Sequence, residues 1–329
     1  MNVPKSAETL LKNKSGILVK NMSPGFYCNI GIKTQLNRIG ETLNNYNNII
    51  VDVNIDGLPL YRSFRVQVWP ILLRLVNITN TAVFTTGIYL GKSKPSSVTQ
   101  FLAEFTEEVA ELRENGFDFN GRCIKFTIRA FVCDAPAKAF LCEILGHTGG
   151  HGCPKCTQVG HKINGVLTYS TEAGTLVSNE DFLERKYPDK HAPAFRNNLS
   201  PLENIGIDMV KQVPIDVMHL IDLGVMRKFI MRIISNESNY KFRKEAKINI
   251  SSKLLALRPY ITKEFVRKPR SLVDIANWKA TEFRMFHLST MESMFLKTKF
   301  LEMYTMNSFF YIVLAVYCFV LKNLAQILI

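Results

Sequence analysis

Val51-Asp-Val-Asn-Ile-Asp-Gly-Leu-Pro-Leu-Tyr61 alternates apolar and polar residues and then stops at a carboxylate. The run Ile49-Ile50 leads into it, and apolar residues at a period of two mark a strand that buries one face. Gly57 and Pro59 end or turn that strand directly after Asp56. A strand end of this kind holds an acid where a metal ion or a phosphate can reach it. An ordinary Asp-Gly turn accounts for the same residues equally well.

The segments that follow build a sheet around this strand. Val66 to Val76 reads as a second strand, in which Pro70 limits the hydrogen bonding. Ala82 to Leu90 reads as a third. Gly91-Lys-Ser-Lys-Pro-Ser-Ser97 is a loop with a helix start that Ser96 or Ser97 can cap. Behind it, Phe101, Leu102, Phe105, Val109 and Leu112 share one helical face, and Glu104, Glu107, Glu108 and Glu111 the other. Cys123 to Cys133 reads as a central strand and ends at Asp134. Ala135 to Leu145 reads as a helix. Three strands, a helix, a strand and a helix is the opening order of a ribonuclease H-like sheet.

Composition narrows the class of partner. The chain has 329 residues, 47% hydrophobic and 21% charged, which describes a folded protein with a substantial core. Its net charge is +13, which favours a polyanionic partner. Between Arg227 and Arg270 stand thirteen basic residues against three acidic ones, a net of +10. A solvated face would also read this way, but a block carrying most of the net charge suits backbone phosphates. Within it Lys241, Arg243, Lys244, Lys247, Arg267, Lys268 and Arg270 are the candidate DNA contacts. The seven cysteines suggest no small disulfide framework, and a reducing compartment is the simpler reading.

Asp56 and Asp134 each terminate an expected strand. Two carboxylates on neighbouring strands suit hard divalent cations such as Mg2+ or Mn2+. Two such ions about 3.5–4 Å apart promote phosphoryl transfer. A third acid is needed, and Glu282, on a helix expected over Ala276 to Phe295, is the best candidate. Cys153-Pro-Lys-Cys156 is half of a zinc site. His147, His151, His161 and Cys142 are the available partners, with Gly149, Gly150 and Gly152 supplying a tight turn. A buried cysteine pair without metal is the alternative.

The chain resembles the catalytic region of eukaryotic cut-and-paste DNA transposases of the CACTA (En/Spm-like) group. The matching pieces are Asn54-Ile-Asp-Gly-Leu-Pro-Leu60, Val68-Trp-Pro-Ile-Leu72, Gly91-Lys-Ser-Lys-Pro95 and Cys133-Asp-Ala-Pro-Ala-Lys-Ala139. They continue with Gly146-His-Thr-Gly-Gly-His-Gly-Cys-Pro-Lys-Cys156, Asp216-Val-Met-His-Leu220, Asp222-Leu-Gly-Val-Met-Arg227 and Trp278 to Arg284. None is specific alone, and their order and spacing are specific jointly. The resemblance implies an α/β fold: a ribonuclease H-like mixed sheet with flanking helices, interrupted by a mostly helical insertion. It implies a DDE triad of Asp56, Asp134 and Glu282 holding two magnesium or manganese ions. It also implies a role for Asp216 and His219, with His219 positioning a phosphate or a base near the cut. A buried histidine tying two helices together is the plain alternative. Double-stranded DNA, an assembly of two or more subunits and a nuclear location follow from the same resemblance, with no small-molecule substrate.

The expected organisation is a polar arm or domain remnant over 1–48 and a first sheet portion over 49–146. A Cys/His-containing connection follows over 147–210, then a basic helical insertion over 211–272. The third acid and an apolar helix occupy 273–329. Ser308 to Leu321 is uncharged and apolar, but its length suits a core helix better than a membrane span. No DNA-end recognition module is evident before residue 49, and the chain stops soon after the Glu282 helix. A catalytically inactive, transposon-derived module that binds nucleic acid or protein is therefore the second functional expectation.

Overall fold

Strand β3 (Asn48–Ile55) forms because Ile49, Val51, Val53 and Ile55 repeat at a period of two and are completely buried. It stops where expected. A side chain at Gly57 would meet the Trp69 ring at 2.7 Å, so the residue after Asp56 must be glycine for the chain to pass the indole. The computed structural model describes residues 18–60, 65–193, 196, 199–234, 244–263 and 265–286. Its architecture is mixed α/β, with a sheet flanked by helices and a helical insertion.

β3 pairs antiparallel with β5 (Gln67–Leu75) and parallel with β8 (Arg122–Val132). β5 pairs antiparallel with β6 (Phe84–Gly91). A parallel pair needs a long crossover, and helix α2 (Val98–Asn115) supplies it. Ser97 caps α2 by accepting from the Gln100 N–H at 3.2 Å. Phe101, Leu102, Phe105, Val109 and Leu112 form its buried face, as the periodicity predicts. Phe105 meets Phe131 of β8 edge-on at 6.2 Å. Helix α3 (Ala135–Leu141) follows β8 and is shorter than its expected span.

The first departure lies in the expected polar arm. Residues 18–45 are integral to the sheet portion. β1 (Val19–Met22) and β2 (Gly25–Asn29) form a hairpin, and β2 pairs with β6. The eight-stranded order is β1-β2-β6-β5-β3-β8-β7, with β4 (Leu58–Pro59) on β5 and β7 (Phe117–Phe119) on β8. Tyr27 is the one buried residue of β2, so no alternation marks the strand in the sequence. Helix α1 (Ile32–Ile39) and a 3-10 turn (Gly40–Asn45) bury Ile32, Leu36 and Leu43. The Glu108 carboxylate of α2 accepts from the Ile32 and Lys33 N–H groups at 2.6 and 2.7 Å, closing the start of α1.

The connection over 147–210 carries more structure than its composition suggests. β9 (Gly160–Ile163) and β10 (Val166–Tyr169) form a hairpin. Two short helices, α4 (Asn179–Leu183) and α5 (Pro201–Asn204), each start with a serine capping box.

The chain divides into two units, Met1–Ile215 and Asp216–Ile329, so the expected insertion and the Glu282 region belong together. The described part of the second unit is helical. The expected helical insertion begins with a π-helical stretch (Met218–Met226) running into α6 (Arg227–Ile234). α7 (Lys244–Leu257) follows, then a 3-10 turn (Leu272–Asn277) and α8 (Ala280–Met285). The expected 276–295 helix is thus broken at Trp278 and Lys279, and its end lies outside the described residues. Ile221, Met226, Ile230, Leu254, Leu272, Trp278 and Phe283 form this unit's core. Among the described residues no helix is long and apolar enough to cross a membrane. Ser308 to Leu321 and Cys318 lie outside them, and the six described cysteines are free thiols.

Gly87 tests the packing of the added hairpin on the sheet. A methyl there would sit 2.3 Å from the Tyr27 hydroxyl oxygen, inside a rigid buried ring contact. Gly87→Ala is expected to cost about 1–3 kcal/mol in a urea unfolding series, and Gly146→Ala, where nothing lies within 4 Å and the backbone is not left-handed, is the open comparison.

Candidate functional site

Asp56 directly follows the last residue of β3, and Asp134 comes two residues after the last residue of the neighbouring parallel strand β8. The pairing of β3 with β8 runs from Asn48↔Lys125 to Val51↔Ile128, then slips to Asp52↔Ala130 and ends at Asn54↔Val132. Continued straight, the first register would set Asp56 against Cys133. One extra residue in β8, Arg129, shifts the register, and that register carried two residues past its last pair would set Asp56 opposite Asp134. Neighbouring strands lie about 4.8 Å apart, so the two acids follow adjacent strands at the same end of the sheet. The last rung is closed by the Asn54 amide, which donates to the Val132 carbonyl at 2.6 Å.

The bulge is held by an ion pair that the sequence reading left unassigned. Asp52 is buried and takes both prongs of Arg129, Nε to Oδ1 at 2.9 Å and Nη2 to Oδ2 at 2.7 Å. Arg74 of β5 adds a third bond at 3.0 Å. On the outer side of β8 the Phe131 N–H donates to the Gln212 carbonyl at 2.7 Å. The Gln212 amide donates to the Ile128 carbonyl at 2.8 Å. Backbone groups beside the bulge are thereby paired on that side.

Asp134 is also the N-cap of α3, with Oδ1 accepting from the Ala137 N–H at 2.7 Å. That bond engages one of its two oxygens. The donor set at this edge is hard oxygen, which fits magnesium or manganese rather than a thiophilic metal.

Cys153 and Cys156 come together with their sulfurs 3.4 Å apart. Two zinc–sulfur bonds of 2.3 Å at a tetrahedral angle would set them roughly 3.8 Å apart, so the pair fits half of a zinc site. Lys190 donates to both of their backbone carbonyls, to that of Cys153 at 2.8 Å. Lys155 between them reaches the carbonyls of Val210 and Val213, the latter also taking Lys138 at 2.6 Å. Burial, with Lys138 nearby, lowers the Lys155 ammonium to about 8. His147 and His151 lie around a run of turns, Gly149 N–H to Gly146 O and Gly152 N–H to Gly149 O. Among the described residues no group of three or more His, Cys, Asp or Glu side chains stands together as a metal cage. The structure therefore joins the two thiols and brings none of His147, His151, His161 or Cys142 to them as a third ligand.

In the second unit Asp216 and His219 are brought together. Asp216 accepts from the Met218 N–H at 2.9 Å with one oxygen and from His219 Nδ1 with the other. His219 is exposed rather than buried. Glu282 is buried at the third position of α8. Arg270 grips it with Nε to Oε1 at 2.6 Å and Nη2 to Oε2 at 2.7 Å, and the Lys279 N–H donates at 2.8 Å. Burial opposes the Glu282 charge, but the Arg270 and Lys279 bonds outweigh it and hold the carboxyl below its usual range. Arg270, read from sequence as a DNA contact, has its guanidinium engaged with Glu282 and the Asn277 carbonyl. Asp222, buried, pairs with Arg284 at 2.7 Å. Lys244 lies on α7 and Lys247 donates to the Ile234 carbonyl at 2.5 Å. Arg267 and Lys268 are exposed, whereas Lys241 and Arg243 lie outside the described residues.

No protein-family model matches the chain, and no curated protein matches it.

Asp52→Asn removes the charge that holds the bulge, and it is expected to cost about 2–3 kcal/mol in denaturant unfolding because Arg129 loses its carboxylate. A second prediction concerns the connection that carries the thiols. His191, beside Lys190 and packed on Phe182 at 4.8 Å, is lowered to about 4 by burial and by Arg185. The unfolded chain therefore takes up this proton first, and stability falls as pH drops from about 6.5 to 4. At pH 5 the loss is about 2 kcal/mol, and thermal unfolding of His191→Gln is expected to lose that part of the acid sensitivity.

Proposed function

We propose that the first unit is a ribonuclease H-like, metal-dependent phosphodiester-cutting domain, and that the chain derives from a CACTA-type cut-and-paste DNA transposase. The observation that carries this reading is the bulge at Arg129, whose register, continued past its last pair, would set Asp56 opposite Asp134 at the ends of parallel strands. A structural turn and a helix cap would not need that alignment. The order of strands and helices from β3 to α3, with the small β4 and β7 added, supports the same reading.

Asp56 and Asp134 would hold the cations. Divalent metal, when bound at such a pair, activates an attacking oxygen and stabilises the leaving one. The protein's part is to fix the carboxylates rigidly: Asp52 and Arg129 set the register, and the Ala137 N–H orients Asp134. Glu282, the third acid of the reading, is held by both prongs of Arg270. The exposed His219 is oriented by Asp216 through its Nδ1 nitrogen.

One observation favours the second expectation, an inactive module that binds nucleic acid. Asp134 and Glu282 both do structural work, as a helix cap and as half of an ion pair.

Nicking of supercoiled DNA in Mg2+ or Mn2+ separates the two. Asp56→Asn is expected to abolish nicking and leave DNA retention unchanged. Asp134→Asn is expected to do the same with an unchanged melting temperature, because asparagine caps a helix as well as aspartate. Equal nicking by wild type and Asp56→Asn would end the enzymatic reading, and retention without any nicking would favour the module.

A further inference from the structure

The basic block is the obvious place to seek phosphate contacts, but the sheet puts a different pair of lysines at the edge that bears the acids. β6 is antiparallel to β5, and β5 to β3, so β6 runs in the same direction as β3 and β8. The carboxyl ends of all three strands therefore share one edge. Asp56 follows β3 and Asp134 follows β8. Lys92-Ser93-Lys94 follows β6, and all three of these residues are exposed.

This loop is anchored. Gly91 and Pro95 at its ends are buried. The Ser96 N–H and hydroxyl both donate to the Ser23 carbonyl, at 3.2 and 2.8 Å. Lys94 Nζ stands 4.9 Å over the Phe140 ring. Phe140 belongs to α3, the helix that Asp134 caps, and it meets Trp69 edge-on at 5.6 Å. Trp69 is the ring that Gly57, next to Asp56, must pass. A row of direct contacts thus joins Lys94 to the elements carrying both acids.

We infer that Lys92 and Lys94 form a phosphate-binding site for a nucleic-acid backbone lying along this edge, an inference that rests on the reading of the acids as the cutting site. β5 alone separates β6 from β3, but through Ile71 it sets Ile55 level with Gly87, so β6 runs four residues further and the loop begins roughly 16 Å from Asp56. At a rise of roughly 3.4 Å per nucleotide, that is about five nucleotides from the phosphate at the acids. The lysines therefore hold a flanking phosphate and set the strand's direction across the carboxylates. Neither lysine reads sequence.

The test is fluorescence anisotropy of the full chain with a labelled duplex in EDTA, over a salt series. The double variant Lys92→Ala, Lys94→Ala is expected to bind roughly tenfold more weakly at low salt, with the log–log salt slope shallower by about 1.8. Lys125→Ala with Lys162→Ala, exposed lysines of the same unit outside this loop, removes equal charge and is expected to change the slope less. Unchanged affinity in the first variant, or an equal loss in the control, overturns the inference. Because the measurement needs no divalent metal, absence of nicking would sink the cutting-site reading while leaving this binding result to stand or fall separately.

Discussion

A buried carboxylate with two arginines sets the geometry on which the sheet edge depends. Asp52 binds the bulge residue Arg129 through both oxygens and Arg74 through one. A one-residue slip in a sheet turns side chains to the opposite face, so a bulge must be held or it will migrate. Here the holding group lies on β3 and the extra residue on β8, so the two strands whose ends carry Asp56 and Asp134 are locked directly to each other. β5 joins the lock through Arg74. Charge in this position fixes register, a use of a buried ion pair that does not require it to be strongly stabilising.

The same economy recurs in α3 and the connection after it. Lys138, Lys155 and Lys190 all point inward and donate to backbone carbonyls, of Val213, of Val210 and Val213, and of the two cysteines. A long segment with little regular structure leaves many carbonyls without ladder partners. An ammonium group with three donors can collect several of them at once. Burial disfavours each charge and lowers the Lys138, Lys155 and Lys190 ammonium groups. The thiol pair thus owes its geometry partly to Lys190, a residue 34 positions after Cys156.

What could be read in advance followed the strength of the local period. β3 and α2 carry enough buried positions at a fixed repeat to declare themselves, and Asp56 and Asp134 were legible as the acids that follow strands. β2 was not, because one inward tyrosine in five residues makes no pattern. The break before α8 was hidden by Trp278, whose apolar ring reads as helix and packs as core. The ion pairs of Asp52 and Glu282 were not legible for a different reason. Their partners lie 22 and 77 residues away in one case and 12 in the other, and no local signal marks such pairs.

Charge summed along a chain is therefore a poor map of charge presented to a partner. Arg74, Arg129, Arg185, Arg270 and Arg284 all take part in ion pairs with buried acids. Three lysines serve as carbonyl clamps. Arg270, at the end of the basic block, holds Glu282, and Arg284, within α8, holds Asp222, so one residue of the sequence's most basic region neutralises an acid of its own unit. Lys92 and Lys94 are two charges in a short loop and vanish in any composition window, yet strand direction places them at the same end of the sheet as Asp56 and Asp134. For a polyanion, position at the edge where the acids stand outweighs the size of a block elsewhere, because a phosphate contact orients a strand only within reach of the group that acts on it.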